Sequence, residues 1–268
     1  MESQGKTNAT IKEIINYTKR FSHVLDTGDA SSILTLSPRN KFHAMTALAN
    51  YSKYTGRYDQ FQQIRQRYSL KWSKGDSSMQ AFQRFFNEEL TLDSMLQRIK
   101  EMCSKLPIQM SRIVKYGVLV GLRPSEVVES VKLINNNQTF EKYYNPNNKT
   151  LEHFRFPDVF LRQTKKAFLS FVSPEILEIA KLPFGIPRAI PSYNDIRYAC
   201  WRIGLKMDMR YCRKIFASWL HKYGISTEIV DFLQGRVSTS VFSRHYLTPD
   251  SSLKDRVLAA LNELEKSL

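Results

Sequence analysis

Apolar residues recur at helical spacing along almost the whole chain, and this periodicity restricts the fold more than any single motif. In residues 9–72 it appears at Ile11, Ile14 and Ile15 and again at Phe42, Met45, Leu48 and Tyr51, with no strand-like alternation. Ser37 followed by Pro38 reads as a helix start, with the serine as cap and the proline in the first turn. Helical patterning continues at 82–103 and 108–120 and then, after one interruption, to the C-terminus. The interruption lies between Leu151 and Val172. There Val159-Phe-Leu-Arg162 and Ala167-Phe-Leu-Ser-Phe-Val172, rich in aromatic and β-branched residues, flank Gln163-Thr-Lys-Lys166, which predicts a hairpin. The expected fold is mainly α with a small antiparallel β-sheet or hairpin. The small, polar run Ser73-Lys-Gly-Asp-Ser-Ser78 predicts a linker over 73–79. It would separate a helical domain at 1–75 from a larger domain at 80–268 that closes with a helix over 251–268.

Charge narrows the partners. The 268 residues carry 40 Lys and Arg against 25 Asp and Glu, a formal net charge of +15. In the first 75 residues 12 basic side chains face 5 acidic ones. Solubility needs far less, so a polyanionic partner is expected. A membrane-surface protein would concentrate the charge on one amphipathic helix; here it is spread along the chain, which favours nucleic acid. No RNP or KH pattern points to RNA. The cysteines, Cys103, Cys200 and Cys212, have no CxxC spacing, so neither a disulfide framework nor a zinc site is expected. The N-terminus lacks the order of a signal peptide, and the longest apolar stretch, around Tyr116–Leu122, is too short to span a bilayer. A reducing, cytoplasmic location is expected.

Three stretches carry candidate chemistry. In Gly121-Leu-Arg-Pro-Ser-Glu126 an apolar helix ends at Gly121 and Pro124 opens the next, placing Arg123 on the joint with Glu126 three residues on to orient it. In Asp208–Gly224, Asp208 reads as a helix cap and Gly224 as the terminator, while Arg210 and Arg213 share one face near the start. In Gly235–Tyr246, Arg236 follows a helix over 227–234 and a further short helix leads to Tyr246. Each alone reads blandly, as a surface arginine, a charged helix face and a packed tyrosine.

Taken in order, Arg123, Lys165 in the hairpin turn, Arg210, Arg213, Arg236 and Tyr246 resemble the tyrosine recombinase (phage-integrase) family. The intervals of 23 from Arg213 to Arg236 and of 10 from Arg236 to Tyr246 match its second box. The wording Arg-Lys-Ile-Phe-Ala-Ser-Trp-Leu, Phe-Leu-Gln-Gly-Arg and Ser-Val-Phe-Ser-Arg-His-Tyr is similar to integrases of archaeal viruses and plasmids, and Lys41–Trp72 resembles their core-binding domain. The resemblance implies a two-domain C-clamp in which 1–75 grips DNA and 80–268 is catalytic. It also implies a site-specific recombinase that cleaves and rejoins strands through a 3′-phosphotyrosine, with Tyr246 as nucleophile and Lys165, rather than its neighbour Lys166, as general acid. It further implies no cofactor or metal, double-stranded DNA attachment sites as partners, and a homo-tetramer on DNA; the apolar stripe of the C-terminal helix could pack in cis on its own domain or in trans on a neighbouring copy, the latter being favoured. A resolvase of chromosome or plasmid dimers, or a type IB topoisomerase-like relaxase, would share this chemistry; a DNA-binding protein without catalysis would not need the full residue set.

The sequence departs from the family at two places. Arg210 stands where many members have His, and Arg236 where many have His or Trp. Both arginines keep a donor and add permanent charge, but neither guanidinium accepts a proton, so a neutral imidazole at these places cannot take the proton of Tyr246.

Overall fold

The computed structural model describes residues 8–72, 91–162, 165–182, 190–205, 209–236 and 252–268. The chain divides into two compact units, Met1–Glu88 and Glu89–Leu268. The expected linker at 73–79 lies outside the described residues.

The first unit is helical. Helices α1 (Asn8–Phe21), α2 (His23–Thr27), α3 (Ser31–Leu34), α4 (Pro38–Tyr54) and α5 (Tyr58–Arg67) enclose a core that includes Phe21, Leu25, Ile33, Met45, Leu48 and Phe61. Ser37 caps α4 as expected, its Oγ accepting the N–H of Asn40 at 3.4 Å with Pro38 in the first turn.

In the second unit the organising element is α7 (Ile108–Val120), whose Ile113, Val114, Tyr116, Val118, Leu119 and Val120 are all buried. It packs against α6 (Leu92–Lys105), α11 (Pro174–Ala180) and α13 (Arg210–Lys222). Arg112 fastens it to the end of α11 by donating to the carbonyls of Glu178, of Ile179 at 3.1 Å and of Lys181 at 2.8 Å. Helices α8 (Pro124–Ile134), α9 (Asn137–Tyr143), α12 (Tyr193–Arg202) and α14 (Thr227–Leu233) complete this body. The C-terminal helix α15 (Leu253–Lys266) buries Val257, Leu261 and Leu264 in the same core, and Trp219 Nε1 donates to the Ala260 carbonyl at 2.8 Å. It therefore packs on its own unit rather than reaching outward, because its apolar stripe finds α7 and α13 within the same chain.

The β structure is smaller than the sequence suggests and differently placed. Strands β1 (Tyr144–Asn145), β2 (Thr150–Leu151) and β5 (Ser170–Phe171) form an antiparallel sheet with β2 central, Tyr144 opposite Leu151 and Thr150 opposite Phe171. The ribbon of β3 (Leu161–Arg162) and β4 (Lys165–Lys166) is separate, so the two apolar runs do not pair with each other throughout. Val159 and Phe160 lie instead in a helical turn, α10 (Pro157–Phe160), opened by Pro157. The Phe160 ring is buried and stacks on His153 at 4.4 Å, so tertiary packing overrides strand propensity here. Lys165 stands within β4 opposite Arg162 and not in the turn itself.

A buried polar chain ties helices to the sheet. Ser130 Oγ meets Tyr116 Oη at 2.6 Å and Tyr143 Oη at 2.9 Å; Tyr143 Oη meets His153 Nδ1 at 2.7 Å, and His153 Nε2 meets Ser170 Oγ at 2.8 Å. Burial pushes the pKa of His153 down from 6.5 to about 3. The unfolded chain therefore takes up a proton near pH 6.5 that the folded chain refuses, and stability falls as pH drops from about 6.5 toward 3. His153→Gln, which removes the titration, is expected to flatten part of that fall, read as the urea midpoint between pH 7 and 4; an unchanged slope would contradict the assignment.

Candidate active site

The site begins where α7 ends. Gly121 closes that helix at φ +62°, and a Cβ there would lie 2.4 Å from Cδ1 of the buried Phe216 ring. Two residues later Arg123 adopts extended backbone and Pro124 starts α8, the joint expected from the sequence. Glu126 is fully buried. It accepts the Arg123 N–H at 3.1 Å through Oε2 and Arg123 Nη1 at 3.1 Å through Oε1. The carboxylate thus fixes both the backbone and the guanidinium of Arg123, a charge-assisted arrangement that makes Glu126 an orienting group.

Helix α13 supplies the second cation. Phe216 covers Gly121, and Arg213, one turn earlier on the same face, donates through Nη1 to the Gly121 carbonyl at 2.9 Å and through Nη2 to the Gln234 carbonyl at 3.0 Å. Gln234, fully buried, returns a bond from Nε2 to the Arg213 carbonyl at 2.7 Å. Burial, and then the charges of Arg123 and Arg236, push the Arg213 pKa down to about 10, which leaves it protonated at neutral pH. Arg210 opens α13, exposed, one turn before Arg213. Asp208, the expected cap, lies outside the described residues.

The third cation and the β3–β4 ribbon meet at Gly235. This residue ends the α14 segment at φ +67°, and its carbonyl accepts Lys166 N–H at 3.3 Å and Arg123 Nη2 at 3.4 Å. A Cβ on Gly235 would stand 2.6 Å from the backbone nitrogen of Ala167. The ribbon carrying Lys165 is therefore docked on the residue before Arg236. Phe168 stacked on Phe232 at 5.9 Å reinforces the contact. Arg236 Nη1 lies 3.3 Å from Asp231 Oδ1.

Of the expected residues, Arg123, Glu126 and Arg213 thus share one cluster, Arg236 follows Gly235 at its edge with its charge felt by Arg213, the backbone of Lys166 next to Lys165 lies against Gly235, and Arg210 is one helical turn away. Tyr246 lies outside the described residues. Two residues escaped the sequence reading. Gln234 is recognisable only from its burial, whereas Asp231, five residues before Arg236 across a helix-ending glycine, had a readable spacing. Among the described residues no group of three or more His, Cys, Asp and Glu is placed to share a metal ion, and no helix is long and apolar enough to cross a membrane.

The model of the archaeal phage integrase family matches residues 91–255. The chain belongs to that family. No curated protein sequence matches it. The matched span of this integrase lies within its second unit and contains Arg123, Lys165, Arg210, Arg213, Arg236 and Tyr246, as well as Glu126, Asp231 and Gln234. Membership gives the protein a recombinase role with DNA as its substrate.

Proposed function

We propose that this integrase is a site-specific tyrosine recombinase that joins and separates a mobile element and its target through a covalent 3′-phosphotyrosine. The observation that carries the reading is that Arg123 and Arg213 donate to the carbonyls of Gly235, Gly121 and Gln234, with Arg236 following Gly235 directly and the ribbon of Lys165 docked on the same loop. The charges of Arg123 and Arg236 repel that of Arg213, adding to the effect of burial in lowering its pKa. A phosphodiester between them relieves that repulsion and gains most as charge builds on its non-bridging oxygens in the transition state.

An ordinary tyrosine has a pKa of about 10 and is about 0.1% phenolate at neutral pH. Nearby guanidiniums favour loss of the Tyr246 proton to water; the phenolate oxygen attacks phosphorus while the bond to the 5′-oxygen breaks and Lys165 gives its own ammonium proton to that leaving oxygen. The phosphate ester is kept in the phosphotyrosine. A 5′-hydroxyl of another strand then attacks it, Lys165 takes the proton back, and the tyrosine is released without ATP or metal. Exchange between two duplexes requires four active subunits, so a homo-tetramer on DNA belongs to this reading, with the basic 1–75 segment gripping the backbone in a salt-dependent manner.

The test uses a nicked duplex carrying the attachment site, recognised from direct repeats flanking the gene. Wild type is expected to give a protein–DNA band on a denaturing gel, in EDTA as in its absence, and Tyr246→Phe to give none while binding the duplex normally. A band that persists in Tyr246→Phe, or none from bound wild type, would contradict the reading.

A further inference from the structure

We infer that Asp231 is a positioning residue that sets the orientation of Arg236 toward the DNA phosphate; this rests on the reading of the site given above. An arginine has a long stem with several rotatable bonds, and a guanidinium on a loop needs an anchor to act reproducibly on one phosphate.

The chain supplies that anchor twice. The N–H of Arg236 donates to the Asp231 carbonyl at 2.8 Å and that of Gly235 to the Phe232 carbonyl at 3.0 Å, so the left-handed turn at Gly235 folds Arg236 back over the end of α14. There the Asp231 carboxylate meets Arg236 Nη1 at 3.3 Å. The side chains are 58% and 34% exposed, so the pair is not buried for stability, and an exposed pair contributes little to it. The geometry instead favours presentation. Among the described residues one nitrogen of the guanidinium is engaged, which leaves Nε and Nη2 to grip an anion. Both residues line an open groove of about 270 Å³, with Ser218, His221 and Thr227 on its walls, so the guanidinium is reachable from solvent.

The experiment is single-turnover cleavage of the nicked site by Asp231→Asn, Asp231→Glu, Arg236→Ala and the Asp231→Asn, Arg236→Ala double variant, with DNA affinity measured in parallel. Asp231→Asn is expected to slow cleavage about tenfold with unchanged affinity, and Asp231→Glu to recover most of the rate. In the Arg236→Ala background Asp231→Asn should change the rate by less than about twofold, since its target is gone. On a site whose scissile phosphate is a neutral methylphosphonate, the difference between wild type and Asp231→Asn should vanish. Cleavage unaffected by Asp231→Asn, or slowed equally with and without Arg236, would overturn the positioning role alone; no covalent product from bound wild type would overturn the reading of the whole site.

Discussion

Arg213→Lys is expected to slow cleavage of a DNA site by about a thousandfold. The charge is kept, so affinity for the duplex should change little. What is lost is the fork: Arg213 sets separate, coplanar nitrogens 2.9 and 3.0 Å from the Gly121 and Gln234 carbonyls, and the single nitrogen of an ammonium does not reproduce that planar geometry. These two bonds lock α13 to the end of α7 and to the loop before Arg236. The variant should also unfold more easily, by about 1–3 kcal/mol, because two carbonyls lose charged donors. Single-turnover cleavage beside DNA-binding anisotropy measures both. A loss below about tenfold would mean that Arg213 serves packing more than chemistry.

The second large effect is at a residue without a side chain. Gly235→Ala puts a methyl 2.6 Å from the Ala167 nitrogen and 2.8 Å from the Lys166 carbonyl carbon, and asks an alanine to hold φ +67°. All the obstructing atoms are backbone, so no rotamer change relieves them. The β3–β4 ribbon must move, taking Lys165 with it. Left-handed strain and overpacking together should cost about 2–4 kcal/mol of stability. In the fraction that stays folded, cleavage should fall more than about a hundredfold, since a shift near 1 Å of a positioned acid is enough. Retained cleavage at low temperature, with the expected loss of stability, would show that the ribbon does not present the general acid.

How much of this was legible in the sequence depends on the kind of signal. The helical period gave the mainly α fold, and Ser37-Pro38 and Gly121-Leu-Arg-Pro124 gave two helix boundaries, since caps and left-handed glycines are local chemistry. The β region departs in detail from its sequence pattern because its aromatic residues serve packing rather than pairing: Phe160 belongs to a helical turn stacked on His153, and Ser170-Phe171 pairs with Thr150-Leu151. The sheet's first two strands, at two residues each, carry no periodicity to find. Within the site, arginines at family spacings were visible, but their partners were not. The carbonyls of Gly121, Gln234 and Gly235 are backbone atoms with no sequence signature, and the buried amide of Gln234 is distinguished only by what surrounds it. The C-terminal stripe of Val257, Leu261 and Leu264 announced a buried face without saying whose core it joins, and it joins its own.

The basic surplus of the chain also divides by duty. Most of the 40 Lys and Arg side chains are suited to a diffuse, salt-sensitive grip, while Arg123 and Arg213 are held by named acceptors in one cluster, with Arg236 at its edge. The central claim is that this cluster activates one tyrosine. Its most direct test is mass spectrometry of the covalent product after protease and nuclease digestion. The account predicts a nucleotide attached to the peptide bearing Tyr246 through a 3′-phosphate, with a free 5′-hydroxyl on the released strand. Attachment at any other residue, or through a 5′-phosphate, would contradict it.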